Sequence, residues 1–259
     1  VCSEFKSVEI WFDSGDANAW CAWSVRDLSV TTPESAHWRI AVDQGETSAI
    51  WEPAASQRRA VFVCAHGAGG HMGDRGLVRS SEVLRSRGLD VVRFNFLYRE
   101  NGSGRPDPMP RLVGCLTAVV SRVRHELQPD VLIIGGRSMG GRAASVLAAE
   151  GFPCGGVLLL AYPLHPAGRP EKLRDSHLPS ITAPVLCING TRDALCRRDL
   201  MEGVQARVGP NWTMHWLEGA DHSFHVLKSS GTTDAEVLLD VGKVTSAWLS
   251  VLQAGASAV

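Results

Sequence analysis

What the sequence lacks narrows the field first. No window holds the roughly 18 apolar residues that a membrane-spanning helix needs. The first residues show no positive patch followed by an apolar core, so they do not read as a signal peptide. Neither sign of charge dominates: 26 Lys and Arg stand against 27 Asp and Glu, a formal net charge of -1. Without a basic run, nucleic acid and anionic membrane surfaces are poor partners. No C-x-x-C pair occurs, which removes the zinc knuckle and the thioredoxin-type redox centre. The seven cysteines are odd in number and irregularly spaced, and Cys64 and Cys187 fall inside apolar runs. Free thiols in a reducing cytoplasm explain them better than a disulfide framework. Internal repeats and low-complexity segments are missing too.

What is present is a chain of 259 residues, 44% of them hydrophobic, long enough to bury a core without staples. Residues 1–36 carry Trp11, Trp20 and Trp23 but no sustained period, and read as an extension of unassigned role. From Trp38 the pattern sharpens. W-R-I-A-V, a D-Q-G-E turn and T-S-A-I-W-E read as a β-hairpin. Apolar runs follow at 60–65, 90–96, 131–136, 156–161, 184–190 and 212–217. Amphipathic stretches separate several of them: one with Leu77, Val78, Val83 and Leu84 on a face, one over 110–127, one from Gly140, and a last over 234–252. Strands apolar without alternation are buried on both faces, and long helical crossovers imply parallel neighbours. The expectation for residues 37–259 is one α/β domain: a three-layer α/β/α sandwich with a mostly parallel sheet.

The stretch V-L-I-I-G-G-R-S-M-G-G-R-A-A-S, residues 131–145, carries the chemistry. Gly136-Arg137-Ser138-Met139-Gly140 fits G-x-S-x-G between a buried strand and a helix, where the serine occupies a strained turn that lifts Oγ above the sheet. A serine hydroxyl needs a base, and the base an orienting acid. In chain order Ser, Asp, His, the candidates are Asp193, just past the strand P-V-L-C-I-N-G, and His222, on the loop after W-T-M-H-W-L-E. His215 falls inside a strand and His225 about one turn past His222; both read as structural. Asp199 reads as a helix-start residue, and Asp221 as pointing elsewhere. An oxyanion would need two amides: Met139, directly after the serine, and Ala68 in the loop H-G-A-G-G, with Gly69 as second choice. His66 reads as a brace for that loop. Arg137 and Arg142 flank the serine; a grip on a substrate anion and plain packing or ion pairing are both open for them. The same loop, H-G-A-G-G-H-M-G, misses the dinucleotide fingerprint because Met72 stands where its third glycine belongs. His222 and His225 lack a third ligand at a known spacing, so no metal is expected.

Taken together, H-G-A-G (66–69), F-N-F-x-Y (94–98), P-D-P-M-P (106–110), G-G-R-S-M-G-G-R (135–142), Y-P-L-H-P (162–166), L-R-D-x-H-L (173–178), N-G-T-R-D (189–193) and G-A-D-H-S-F (219–224) resemble the α/β-hydrolase superfamily. More narrowly, they resemble its dienelactone-hydrolase-related group. That group includes testis-expressed hydrolase-like proteins and a hydrolase-like domain of a histone-acetyltransferase complex subunit. The resemblance runs from about residue 38 to the end. It implies a Ser–Asp–His hydrolase fold without a cofactor, and the triad residues themselves point to cleavage of a small-molecule ester or thioester through an acyl-enzyme. It names no substrate, and some relatives serve as interaction scaffolds, which stands as the alternative. Leu97 replaces a proline frequent in the relatives. Dienelactone hydrolases proper use a cysteine nucleophile, so the serine at 138 does not carry over that exact activity. The short, polar segment 162–183 argues against a greasy lid and for soluble, short-acyl substrates.

Overall fold

A computed structural model describes residues 34–54 and 60–256. The extension read at 1–36 therefore lies almost wholly outside the described residues, as do Cys2 and Cys21. The hairpin forms as expected: β1 (Ala36–Val42) and β2 (Gly45–Glu52) pair antiparallel around Asp43 and Gln44. The remaining strands are β3 (Ala60–Ala65), β4 (Asp90–Phe94), β5 (Val131–Arg137), β6 (Gly156–Leu160), β7 (Val185–Gly190) and β8 (Trp212–Leu217). They make one eight-stranded sheet in the order β1-β2-β4-β3-β5-β6-β7-β8. Every pair from β4 to β8 is parallel.

The apolar runs are buried on both faces because successive side chains point to opposite sides. Val61, Val63, Leu132 and Ile134 face one core, and Phe62, Cys64, Val131 and Ile133 the other. α3 (Met109–Leu127), α4 (Met139–Ala149) and α5 (Arg198–Gln205) pack on the first face through Leu116, Val120, Ala144 and Met201. α1 (Arg75–Arg85) and α6 (Asp234–Ala256) pack on the second through Leu77, Leu84, Val241 and Trp248. Each fully buried aliphatic or aromatic side chain contributes about 1.5–3 kcal/mol. The result is the three-layer sandwich.

Three details differ from the sequence reading. In α1, Val78 and Val83 are only half-buried, and the buried stripe is completed by Ser80 and Ser81. Their hydroxyls donate to the carbonyls of Gly76 and Leu77, so small polar residues can sit against the core without an unmet bond. β4 stops at Phe94, because Asn95 turns its side chain to accept from the Met72 amide and donate to Glu100. The chain then makes α2 (Leu97–Glu100), too short to show a period. Among the described residues no helix is long and apolar enough to cross a membrane.

Candidate active site

The parallel strands end at one edge of the sheet, and the loops there bring three distant side chains together. β5 runs into Ser138, whose φ of 51° and ψ of -115° are unusual for a residue with a side chain. Its amide donates to the Leu160 carbonyl of β6 (2.9 Å), which pins the turn. Glycine is required beside it on steric grounds. A Cβ at Gly136 would lie 2.2 Å from the Ala65 carbonyl oxygen of β3, and one at Gly140 2.4 Å from the same atom. α4 therefore starts hard against β3, with its free N–H groups and positive dipole end at Ser138.

His222 Nε2 stands 2.9 Å from Ser138 Oγ, and His222 Nδ1 stands 2.8 Å from Asp193 Oδ2. The carboxylate can only accept, so Nδ1 carries the ring proton and Nε2 accepts from the serine hydroxyl. Asp193 is fully shielded, whereas the His222 side chain keeps 27% of its exposure. Two further donors reach that buried charge: the Leu195 amide at Oδ1 (2.8 Å) and Asn189 Nδ2 at Oδ2 (3.1 Å). Asn189 is itself locked against the Tyr162 backbone through both ends of its amide. Such bonding is what allows a carboxylate to stay charged away from water.

The loop after β3 faces the serine. Among the described residues, the amides of Ala68 and Met139 donate to no protein acceptor. The Gly69 amide instead donates to Tyr98 Oη (3.2 Å), and that of Gly70 to the Gly67 carbonyl (3.1 Å). Of the first and second choices from sequence, Gly69 thus has its amide engaged and Ala68 does not. His66 is buried and braces the loop: its Nδ1 donates to the Gly67 carbonyl (2.8 Å), and its Nε2 accepts from the Phe96 amide (3.0 Å). Burial pushes its pKa down to about 4, so the ring is neutral at physiological pH.

The other candidates are placed apart. His215 bonds Asp240 (2.8 Å), His225 bonds Asp234 (3.0 Å), and Asp199 pairs with Arg197 (2.5 Å). Asp221 accepts from the Ser223 and His225 amides and shapes the turn that carries His222. The two arginines beside the serine separate. Arg137 turns under the sheet edge, donates to the His222 carbonyl (2.8 Å) and lies 5.1 Å from the Phe224 ring centre. Arg142, one helical turn past Ser138, lines the open side.

That open side is a cavity of about 420 Å³ whose wall includes Ala68, Ser138, Met139, Arg142 and Arg174. Its size is within the usual range of about 300–1,000 Å³ for small-molecule sites. A second hollow, of about 530 Å³, lies between the end of β8 and α6, and no histidine is among its lining residues. No group of three or more His, Cys, Asp or Glu among the described residues could hold a metal ion. Asn189, Tyr98 and Arg174 were not singled out from sequence. Asn189 stands inside N-G-T-R-D, four residues before the acid, and that spacing was the only local signal.

Residues 58–250 match the family model of an alpha/beta hydrolase domain. The fold is shared with solved structures at low identity. An α/β serine hydrolase homologue from Coxiella burnetii has a TM-score of 0.68 at 20% identity, over 85% of this chain and 99% of that one. A dienelactone hydrolase from Anabaena variabilis has 0.64 at 21%, over 85% and 98%. An α/β serine hydrolase without a lid from Xanthomonas campestris has 0.64 at 22%, over 86% and 93%.

Proposed function

We propose that this chain, which belongs to the alpha/beta hydrolase domain family, is a serine hydrolase that cleaves a carboxylic ester or thioester. The row Asp193–His222–Ser138, with contacts of 2.8 and 2.9 Å, carries the reading. Ser138 Oγ attacks the acyl carbon as its proton passes to His222 Nε2. Asp193 accepts from Nδ1–H and steadies the imidazolium. The oxyanion takes hydrogen bonds from the Met139 and Ala68 amides. The carbon–oxygen or carbon–sulfur bond breaks as His222 returns the proton to the departing alcohol or thiol. Water then gives a proton to His222 and attacks the acyl-enzyme, freeing the acid and restoring Ser138. No cofactor enters these steps.

Arg137 acts behind this row as a positioning residue, through its bond to the His222 carbonyl. The cavity size and the short segment between β6 and β7 support small, soluble, short-acyl substrates. The free cysteines Cys64, Cys115, Cys154, Cys187 and Cys196 support a reducing cytoplasm. The test is a panel of nitrophenyl esters of increasing chain length, beside labelling by a fluorophosphonate. Wild type should cleave the short esters and take the label. Ser138→Ala should lose the label and about 10⁴-fold or more in turnover. Unlabelled, inactive wild type would point to a scaffold.

A further inference from the structure

Two cations line the cavity beside Ser138, and among the described residues neither has a counter-ion. The Arg142 guanidinium makes no hydrogen bond or ion pair among the described residues, and its Nε is buried without a partner. An unmet buried donor costs about 1–3 kcal/mol, more when charged, so a site that keeps one has a use for it. Arg174 stands on the loop after β6, and its guanidinium makes one bond, from Nη1 to the Pro163 carbonyl (3.2 Å). Its backbone is fixed at both ends: its amide donates to the Leu164 carbonyl (2.8 Å), and its carbonyl accepts from Tyr162 Oη (2.6 Å). The two guanidiniums are close enough that Arg142 helps lower the pKa of Arg174, after burial as the main cause.

The nearby carboxylates are already engaged. Asp175 pairs with Arg207. Asp107, in the same cavity wall, faces Arg111 (3.6 Å) and accepts from the Tyr98 amide (3.1 Å). Burial first, then the nearby Arg142 cation, pushes the His177 pKa below its usual value.

We infer that this wall is an anion subsite, and that the preferred ester carries a carboxylate a few bonds from its scissile carbonyl, clamped by Arg142 and Arg174. The inference rests on the hydrolase reading and names its substrate class. The planar forks of two arginines suit a carboxylate or a phosphate. Asp107 in the same wall favours the singly charged of the two. Arg142 follows Ser138 by one helical turn, and residues so spaced have Cβ atoms about 5–6 Å apart, so the clamp would fix the acyl group against the nucleophile.

The matched pair p-nitrophenyl valerate and mono-p-nitrophenyl glutarate tests this, because the two differ in a terminal carboxylate. In wild type the glutarate ester should have the higher kcat/KM. The anionic-to-neutral ratio should fall tenfold or more in Arg174→Gln and in Arg142→Gln, through KM. Arg142→Lys, which keeps charge but not the fork and serves if the Gln variant fails to fold, should fall between. Calorimetry with free glutarate reads the subsite without turnover. Glutarate binding that Arg174→Gln abolishes, in a chain that no fluorophosphonate labels, upholds the subsite and removes the hydrolase reading. A labelled, active chain with an unchanged ester ratio overturns the subsite and leaves that reading intact. Tighter binding of inorganic phosphate than of glutarate overturns the carboxylate assignment.

Discussion

α4 carries two serine–histidine contacts of nearly equal length. At its N-terminal cap Ser138 lies 2.9 Å from His222, and about two turns on Ser145 lies 2.8 Å from His177. Distance does not separate them; bond direction does. Ser145 is fully buried and its hydroxyl donates to the Arg142 carbonyl (2.8 Å), so it must accept from His177 Nε2–H. That histidine cannot also take the serine proton, and no carboxylate among the described residues accepts from its other nitrogen. Ser138 has the reverse arrangement: a shielded acid fixes the tautomer, the ring accepts, and the hydroxyl faces a cavity. The first pair has the bonding that the proposed proton transfer needs, and the second joins α4 to the loop after β6.

Three changes would sharpen or break that contrast, beginning with the largest. Asp193→Asn keeps the shape but can present the wrong group to Nδ1. Ester turnover should fall about 10³- to 10⁴-fold with the protein still folded, as steady-state kinetics beside a melting curve would report. An effect within a few-fold would break the first pair's claim. Ser145→Ala leaves the His177 donor unmet and should cost about 1–3 kcal/mol, read from the urea midpoint at constant slope. Fluorophosphonate labelling should persist; its loss would mean that Ser145, not Ser138, takes the label.

The smallest effect is a pH slope. Burial first, then Arg142, lowers the His177 pKa from its usual 6.5. The unfolded ring therefore takes a proton at higher pH than the folded one. Its share of stability is complete above 6.5 and declines as the pH falls below that value. His177→Gln should flatten the dependence of the unfolding midpoint between about pH 7 and 5. An unaltered slope would remove the second pair's role in acid sensitivity.

The fold was legible because its signals are local. Runs such as A-V-F-V-C-A and V-L-I-I-G-G announce strands buried on both faces, and β3 begins and ends where its run does. Ser138, Asp193 and His222 were legible because each stands at the end of such a run, on the edge where parallel strands terminate. Less legible was whatever depends on a partner. Nothing near Ser145 announces His177, and nothing near Gly69 announces that Tyr98 Oη occupies its amide. α2 was missed because four residues cannot display a helical period.

By itself the sequence determined the layered sheet and the turn at Ser138, since burial periodicity and the glycines at 136 and 140 are written residue by residue. Only the tertiary structure decided between the two arginines that flank the serine. Arg137 and Arg142 have the same side chain and nearly the same place in the chain. One finds the His222 carbonyl and the Phe224 ring, and the other finds an open cavity. A guanidinium's role is set by which acceptors come within reach, and those come from loops far away along the chain.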